Sequence, residues 1–465
     1  MTAQQTSPAP PPRAHLASVP VYIPGKSAAA AMAEHGIAAA VKLASNEVPF
    51  GPLPGVAEAV LAAIAETYRY ADHDSDELAE AFAATLGLTR DRVAVGPGSV
   101  GLLQQLTLAY AGPDDEVVYP WPSFIAYPQF SGVVAAARVV VPLRRFSIDV
   151  DAVLQAITPR TRIIFIANPN NPISGAIRRA ELERLLDEAP ADCLVVVDEA
   201  YREFVTGADV PDALDYLADH PNLVVLRTYS KAYGMAGMRV GFLVGDPVVV
   251  GAVYATMIPF AVNGPAQAAA MVAMTQGAEV RRRCSIIVDE RERVAQVLRR
   301  SGLGVPASQA NFWWLPSGGR SGELAVALEQ RGVVVRPFPT GIRVTVGLPE
   351  ENAAFLGALA AVRTAVPDIT DDWGLPTGER AALTADLLDA LVAGHPDDAA
   401  AIESRRSAML DAVGEAASDI SGDLPERALD RLIALVAELG DDDWASIDAV
   451  DPSLLAVSPW STSGR

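Results

Sequence analysis

Between Lys42 and Val250, short apolar runs alternate with longer amphipathic stretches. The runs are RVAV, EVVY, AARVVVPL, RIIFIAN, CLVVVDEA, NLVVLRT and RVGFLVG. Runs of this length, separated by segments long enough for a helix, are typical of strand–helix–strand units whose strands lie parallel in one sheet. The sequence therefore predicts an α/β fold with a mainly parallel, doubly wound sheet.

The remainder of the chain divides into segments of different composition. Proline, alanine and small polar residues fill the first positions, which cannot bury enough apolar surface to offset the entropy of ordering. A helical pattern from Pro265 to Ser301, followed by VVVRP and IRVTVG, predicts a smaller α+β unit. The predicted organisation is a disordered tail over residues 1–15, an arm over 16–45 that joins the small domain, a large domain over 46–260, the small domain over 261–366 and an extension over 367–465.

The extension is strongly acidic. From Val366 onward the chain has 21 acidic and 6 basic residues, so −15 of the formal net charge of −21 lies there. Helical periodicity in ERAALTADLLDALVAG, AAAIESRRSAMLDAVGEAAS and LPERALDRLIALVAELG predicts a separate all-α appendix. Two roles stay open for it: a solubilising module that packs on its own dimer, or a docking unit for a partner.

Charge and composition argue against several classes of function. A net charge of −21 repels phosphate backbones, which disfavours binding to nucleic acid or to an anionic membrane. The sequence has neither a signal-peptide pattern nor an apolar run of about 18 residues. Its two cysteines, Cys193 and Cys284, lack the spacing of a disulfide framework or a metal site. We therefore expect a cytoplasmic protein without a metal site, acting on small molecules.

Polar residues directly follow four of the apolar runs. Ligands of an open parallel sheet bind beyond the carboxyl ends of its strands, so these residues are candidates for a single site. They are Asp198, Glu199 and Tyr201 after CLVVV, the NPNNP segment 168–172 after RIIFIA, Ser230 and Lys231 after NLVVLRT, and GPGS after RVAV.

These side chains meet the requirements of a pyridoxal phosphate ring. Such a ring needs an anion beside its pyridine nitrogen, donors on its phenolic oxygen and a lysine that binds it covalently. Asp198 would keep the ring nitrogen protonated, and Lys231 would carry the cofactor. Asn171 and Tyr201 would donate to the phenolic oxygen.

The same strand ends carry groups suited to the phosphate. Arg239 would clamp it, helped by the hydroxyls of Thr228 and Ser230. The segment GPGSVGLLQQL is typical of a glycine-rich turn that opens a helix, whose free N–H groups favour an anion. Taken singly, each residue has an ordinary structural role as a cap, a turn former or a surface ion pair. Their occurrence on consecutive strand ends favours the cofactor site.

The chain resembles the fold-type I pyridoxal-phosphate aminotransferases, specifically the histidinol-phosphate and aromatic aminotransferase group. The resemblance implies this fold, transamination between an amino acid and a 2-oxo acid, and a homodimer. It extends over roughly residues 20 to 352, and the matching segments are VPVYIPGK, KLASNEVPFGPLP, YRYADH, VAVGPGSVGLLQQL, WPSFIAYP, NPNNP, VVVDEAY, RTYSKAYGMAGMRVG, SQANFWWLP and GIRVTVG.

The resemblance also implies roles for individual residues. It makes Lys231, Asp198 and Tyr201 catalytic and places Phe124 against the face of the ring. Arg343 matches the arginine that holds the substrate carboxylate, for which a planar two-donor fork is suited. The other matches are Asn171 at the phenolic oxygen; Ser99, Val100, Ser230 and Arg239 at the phosphate; Tyr70 at the phosphate of the neighbouring subunit; and Tyr22 and Asn46 on the substrate side.

Departures from the family pattern bear on the substrate. Histidinol-phosphate aminotransferases often carry an acidic pair where this chain has Val100 and Gly101, and many have tyrosine at the position of Phe124. These features favour an aromatic amino acid with 2-oxoglutarate, as in the actinobacterial aromatic aminotransferases. Histidinol phosphate with glutamate is the alternative, and a decarboxylase of a phosphorylated amino acid is a third option. A transcriptional regulator is disfavoured because it would need a basic DNA-binding module.

Overall fold

The computed structural model describes residues 11–21, 23–144, 146–301 and 303–366. The predicted extension over residues 367–465 and most of the predicted N-terminal tail lie outside the described residues. Within the described part, the chain forms two compact units. The first comprises residues 11–25, 45–288 and 308–311, and the second comprises residues 26–44, 289–307 and 312–366. The domain boundaries drawn from the sequence stay predictions.

The secondary structure of the described residues is as follows. The strands are β1 (Val41–Lys42), β2 (Val93–Gly96), β3 (Glu116–Trp121), β4 (Ala137–Pro142), β5 (Thr161–Ala167), β6 (Leu194–Asp198), β7 (Leu223–Thr228), β8 (Gly241–Val244), β9 (Phe312–Pro316), β10 (Val333–Val334), β11 (Arg336–Phe338) and β12 (Gly341–Thr345). The α-helices are α1 (Ala28–His35), α2 (Val56–Ile64), α3 (Asp76–Thr85), α4 (Gly98–Tyr110), α5 (Ala126–Val133), α6 (Val150–Gln155), α7 (Arg179–Glu188), α8 (Pro247–Thr256), α9 (Gly264–Met274), α10 (Gly277–Arg300), α11 (Ser321–Glu329) and α12 (Pro349–Ala365). Within the described ranges, none of these helices combines the length and the apolar composition needed to cross a lipid bilayer.

The first unit is built on a seven-stranded sheet with the strand order β2-β8-β7-β6-β5-β3-β4. Strands β4, β3, β5, β6 and β7 are parallel, whereas β8 is antiparallel to both of its neighbours, β7 and β2. Each of the seven apolar runs coincides with one strand of this sheet. The predicted α/β fold with a mainly parallel sheet is confirmed.

Both faces of this sheet are largely buried, except at the edge strand β4, where most residues are exposed or half-buried. On one face, alternate strand residues such as Phe165 and Leu226 pack in a single cluster with residues of α4, α5 and α8. The intervening residues, including Ile164 and Val225, are fully buried as well. Side chains alternate between the two faces of a strand, so a continuous apolar run of this kind requires cover on both sides. This explains why the runs that form the other six strands are mainly apolar instead of alternating with polar residues.

Side chains and prolines set the starts of two helices that follow the sheet. The carboxylate of Asp246 accepts a hydrogen bond from Val248 N at 2.9 Å at the start of α8. The amide oxygen of Asn263 accepts one from Ala266 N, also at 2.9 Å, at the start of α9. A proline follows in the first turn of each helix, where its missing N–H leaves no hydrogen bond unmade. The predicted helical region from 265 to 301 consists of α9 and α10.

The second unit contains a three-stranded antiparallel sheet, β11-β12-β9, and a parallel pair, β1-β10. Leu43 O accepts a hydrogen bond from Thr345 N at 2.8 Å, which joins the chain after β1 to the end of β12. Across β12 and β9, Arg343 is paired with Trp314. The strand patterns VVVRP and IRVTVG therefore correspond to β10 with β11 and to β12.

An ion-pair cluster in the second unit fastens the segment before α1 to the end of α11. Lys26 Nζ donates to Glu329 Oε2 at 2.6 Å and lies 2.8 Å from Glu34 Oε2. His35 Nε2 lies 3.2 Å from the same Glu329 oxygen. The lysine ammonium contacts both carboxylates, so the chain's own cation already occupies the place between Glu34 and Glu329 and offsets one of their two negative charges.

In the first unit, the start of β8 approaches the start of α4 at a position where only glycine fits. A Cβ added to Gly241 would lie 2.5 Å from Ser99 N and 2.8 Å from Gly98 C. Both are backbone atoms, which cannot rotate away as the end of a flexible side chain can. The absence of a side chain at Gly241 therefore lets α4 begin directly beside the sheet.

We predict that Gly241→Ala lowers the free energy of unfolding by about 1–3 kcal/mol, because the new methyl group overpacks this contact. Gly251→Ala, within α8, is the matched control, since a Cβ there meets nothing within 4 Å. Alanine also has the higher helix propensity, so the control should be neutral or more stable by up to about 1 kcal/mol. Urea titrations of both variants measure the difference. A Gly241→Ala variant as stable as the Gly251→Ala control would contradict the packing argument.

Candidate active site

The strand register brings the ends of several strands to one edge of the large sheet. Asp198, the last residue of β6, is opposite Leu226 of β7. Two residues later, Thr228 is opposite Gly241 of β8, and Gly241 is in turn opposite Gly96 of β2. The polar residues that follow β6, β7 and β2 in sequence therefore start from the same edge.

Lys231 lies in the turn that follows β7. Its Nζ donates to Ser45 O at 3.3 Å and lies 5.8 Å from the centre of the Tyr201 ring. The turn itself is closed by a hydrogen bond from Gly234 N to Lys231 O at 2.8 Å. The amine is thus held at the sheet edge beside Tyr201. The catalytic role that the sequence suggests for both residues stays a prediction.

Tyr201 is fixed by a side chain that is distant in sequence. Its hydroxyl accepts a hydrogen bond from Asn46 Nδ2 at 2.9 Å. Asn46 has a left-handed backbone with φ of 53°, and its carbonyl oxygen accepts from Asn311 Nδ2 at 3.1 Å. The structure therefore places Asn46 directly beside a predicted catalytic residue. Its predicted contact with the substrate stays a prediction.

The carboxyl group of Asp198 is buried, with 5% of the residue exposed. Oδ2 accepts a hydrogen bond from the Tyr127 hydroxyl at 3.2 Å, and Oδ1 accepts one from Ala200 N at 3.2 Å. Burial raises the pKa of Asp198 to about 6, although the two hydrogen bonds and the charge of Lys231 act in the opposite direction. An ionised carboxylate here is costly unless a cationic group comes to it.

Hydroxyl and guanidinium groups converge next to the end of β7. The Thr228 hydroxyl donates to Ser230 Oγ at 3.0 Å and also accepts from Ser230 N at 3.1 Å. Arg239 Nη1 donates to Ser230 Oγ at 3.2 Å and to Ala236 O at 3.0 Å. Arg239 itself has a left-handed backbone with φ of 59°. This arrangement presents a positive charge and several donors within a small space.

The N-terminus of α4 lies against the same arginine. A Cβ added to Gly98, whose φ is 73°, would lie 2.5 Å from Arg239 Nη2. Ser99 is buried and Val100 is half-buried in the first turn of this helix. The first N–H groups of a helix have no partner within the helix and attract anions. The three predicted elements of a phosphate site, namely α4, Ser230 and Arg239, are therefore adjacent.

Three other predicted residues lie in the first unit. Asn171 is half-buried in the loop after β5. Phe124 is half-buried, and its ring meets that of Tyr127 edge-on at 5.8 Å between centroids. Tyr70 is 84% exposed and stacks on Phe260 at 4.4 Å between centroids. Its exposure separates it from the buried groups around Asp198.

Arg343 belongs to the second unit, and Tyr22 lies outside the described residues. The guanidinium of Arg343 lies 5.5 Å from the ring centre of Phe312 and 5.7 Å from that of Phe338. Its Nη2 donates to Ala44 O at 2.8 Å. Two aromatic faces and a backbone acceptor thus hold the planar group in one orientation.

A buried ion-pair network links the ends of β6 and β7. Arg227 Nη2 lies 2.6 Å from Glu199 Oε2 and 2.7 Å from Asp212 Oδ1. The second Glu199 oxygen accepts from Ala213 N at 3.0 Å. Burial raises the pKa of Glu199 to about 7 even though Arg227 opposes this. The network joins the residues next to Asp198 and Thr228, so it fixes the spacing of the two strand ends.

Sequence reasoning missed two residues of this site. Tyr127, the hydrogen-bond donor to Asp198, lies in the quoted segment WPSFIAYP, where an aromatic residue in an apolar helix is typical of core packing. Ser45 accepts from Lys231 through its backbone carbonyl oxygen, a group that every residue has, so its identity in the sequence gives no indication of this contact. Both contacts depend on the folded arrangement of distant segments.

The site suits a ligand that has both a phosphate and a cationic ring nitrogen. Hydrogen-bond donors lie close together around Arg239, because Gly98 has no side chain to separate them from the guanidinium. The carboxyl group of Asp198 is buried, and burial disfavours its ionised form. A lysine amine is held at the same sheet edge. Together, these three features have the chemistry needed to hold a phosphorylated cofactor next to a lysine.

Comparison with known proteins identifies the family. The model of the aminotransferase class I and II family matches residues 38–359, and the chain belongs to this family. It is 48% identical over 345 residues to an aromatic amino acid aminotransferase of Thermobifida fusca (strain YX), covering 74% of this chain and 95% of the relative. It is 49% identical over 346 residues to one of Streptomyces coelicolor, with the same coverage.

A solved structure supports the same assignment. The histidinol-phosphate aminotransferase from Sinorhizobium meliloti, in complex with pyridoxal-5'-phosphate, matches with a TM-score of 0.69 and 27% identity, covering 76% of this chain and 97% of that chain. The predicted resemblance and the predicted aminotransferase activity are confirmed.

We predict that Asp198→Asn stabilises the cofactor-free protein at high pH. The pKa of Asp198 is about 6 in the folded state and ordinarily 3.8, so ionisation disfavours folding by up to about 3 kcal/mol above pH 6. This loss of folding free energy disappears as the pH falls below about 4, because Asp198 is then protonated in both the folded and the unfolded protein. Thermal melting at pH 8 and pH 4 should show a stabilised variant only at pH 8. The exposed Asp219→Asn is the control, and a destabilised Asp198→Asn at pH 8 would contradict the prediction.

Proposed function

We propose that this aminotransferase uses pyridoxal 5'-phosphate to transfer an amino group between an aromatic amino acid (Phe, Tyr or Trp) and a 2-oxo acid such as 2-oxoglutarate. The observation that carries the chemistry is the placement of Lys231, Asp198 and Arg239 around one sheet edge. Support for the aromatic substrate comes from the relatives of 44–49% identity, which are named aromatic amino acid aminotransferases.

The residues of the first unit have the chemistry that this cofactor needs. When bound, pyridoxal phosphate supplies a cationic ring that withdraws electrons from the substrate α-carbon. Asp198 would face the ring nitrogen, and its buried carboxylate would gain the cationic partner that favours ionisation. The other proposed contacts are Phe124 on the ring face; Tyr201 and Asn171 at the phenolic oxygen; and Ser99, Val100, Thr228, Ser230 and Arg239 at the phosphate.

Lys231 would also move the proton. In the proposed reaction, Lys231 Nζ would take the proton from the substrate α-carbon and deliver it to C4' of the cofactor in the same half of the cycle. The other half of the cycle would run this transfer in reverse. Ser45 O, at 3.3 Å, and the Tyr201 ring, at 5.8 Å from Nζ, give the amine a defined position. Asn46 contributes indirectly by holding the Tyr201 hydroxyl at 2.9 Å.

Arg343 is proposed to bind the substrate carboxylate. A guanidinium can donate two parallel hydrogen bonds to a carboxylate, a geometry that lysine cannot reproduce. Its position between the rings of Phe312 and Phe338 leaves little rotational freedom to lose when the substrate binds. Tyr22 and Asn46 are proposed to line the substrate side.

A homodimer and a cytoplasmic location are further parts of the proposal. Tyr70 is proposed to reach the phosphate bound by the neighbouring subunit, and its 84% exposure leaves it accessible for such a contact. Neighbouring apolar side chains are exposed too, with Ile258 at 70% and Phe260 at 38%. The free, buried thiols of Cys193 and Cys284 are compatible with a reducing compartment.

Two other activities are alternatives to the proposed one. A histidinol-phosphate aminotransferase is supported by the 27% identity to the enzyme from Sinorhizobium meliloti. A decarboxylase of a phosphorylated amino acid would share the cofactor residues but release carbon dioxide. The substrate and the products therefore distinguish the three activities.

We expect the purified, cofactor-loaded protein to convert phenylpyruvate with glutamate at least tenfold more efficiently than imidazole-acetol phosphate with glutamate, measured as kcat/KM. A tenfold difference corresponds to about 1.4 kcal/mol of transition-state binding. Product analysis should give phenylalanine and 2-oxoglutarate without carbon dioxide. Turnover of imidazole-acetol phosphate alone would reverse the substrate assignment, and carbon dioxide release would indicate the decarboxylase.

A further inference from the structure

Tyr127 connects two predicted cofactor contacts that come from different parts of the chain. It lies at the start of α5, and none of its surface is exposed. Its hydroxyl donates to Asp198 Oδ2 at 3.2 Å, and its ring stacks on that of Phe165 at 4.7 Å with an interplanar angle of 9°. The ring packing fixes where the hydroxyl points.

The backbone of Tyr127 also closes the turn that carries Phe124. Tyr127 N donates to Phe124 O at 3.1 Å, and the two rings meet edge-on at 5.8 Å. One turn later, the Ser131 hydroxyl donates to Tyr127 O at 2.7 Å. Tyr127 therefore joins the end of β6 to the turn before α5 through both its side chain and its main chain.

The hydroxyl of Tyr127 is suited to act as a neutral donor. Burial and the neighbouring Asp198 carboxylate raise the pKa of Tyr127 well above its ordinary value of 10. The phenol therefore keeps its proton at neutral pH. A donor of this kind stabilises the ionised form of a carboxylate, which burial disfavours.

We propose that Tyr127 is a positioning residue that keeps Asp198 ionised and oriented toward the cationic ring nitrogen of the cofactor while holding Phe124 at the ring face. This inference rests on the proposed function, because it takes the ring nitrogen as the partner of Asp198. A purely structural role would require only the ring of Tyr127 in the core. The hydroxyl is what distinguishes the two roles.

The test compares Tyr127→Phe with Tyr119→Phe. Both changes remove one hydroxyl from a fully buried ring, and the Tyr119 ring lies 6.3 Å from that of Tyr127. In the cofactor-free protein, infrared difference spectra follow protonation of the Asp198 carboxyl, whose band is assigned by its loss in Asp198→Asn. Other groups that act on this carboxyl are the Lys231 charge and the Ala200 amide, and both variants keep them.

Tyr127→Phe should shift the titration of Asp198 upward by about one pH unit, the size expected for losing a hydrogen bond to a charged group. Tyr119→Phe should leave it unchanged. The affinity for pyridoxine 5'-phosphate, which has the ring nitrogen and the phosphate but no aldehyde, should fall about tenfold at pH 6 in Tyr127→Phe alone. The loss should become smaller at pH 9, where Asp198 is ionised in both variants.

An Asp198 titration in Tyr127→Phe that matches the wild type would overturn the proposal for Tyr127, and so would an equal loss of affinity in both variants. Failure of the wild-type protein to bind pyridoxine 5'-phosphate or pyridoxal phosphate at any pH would instead contradict the proposed function. The titration of the cofactor-free protein and the binding assay thus separate the two failures. Melting temperatures of both variants confirm that each is folded.

Discussion

The buried carboxylate of Asp198 is the group on which the rest of the site depends. It lies at the end of a fully buried strand, where burial raises its pKa to about 6. Hydrogen bonds from Tyr127 and Ala200 and the charge of Lys231 oppose that effect without cancelling it. A cationic ring nitrogen would supply the missing partner. If the proposed cofactor binds here, the cost of this carboxylate in the cofactor-free protein would favour a protonated ring over a neutral one.

A second constraint is the close approach between α4 and the sheet. Glycine at positions 98 and 241 lets the start of the helix lie beside β8 and beside the Arg239 guanidinium. The register of β7, β8 and β2 then sets Thr228 next to that helix start. Donors from three separate segments reach one small volume as a result. Long-range backbone geometry, more than any single side chain, brings together the donors that are proposed to bind phosphate.

Much of the fold followed from local pattern, because each of the seven apolar runs becomes one strand and all but the edge strand β4 are largely buried on both faces. The reversed direction of β8 could not be predicted, since apolar periodicity carries no information on strand direction. The positions of Asp198, Lys231 and Arg239 next to strands were predicted because polar residues directly before or after an apolar run are a local signal. The hydrogen bonds of Tyr127 and of Asn46 join residues 71 and 155 positions apart, and no pattern reports such contacts.

The most direct test of this account is where the cofactor attaches. The sequence contains only three lysines, Lys26, Lys42 and Lys231. Borohydride reduction of the protein saturated with pyridoxal phosphate, followed by peptide mass mapping, should find the phosphopyridoxyl group on Lys231 and on neither of the others. Lys231→Ala should remove the label and Lys42→Ala should keep it. A label on Lys26 or Lys42, or none at saturation, would contradict the account.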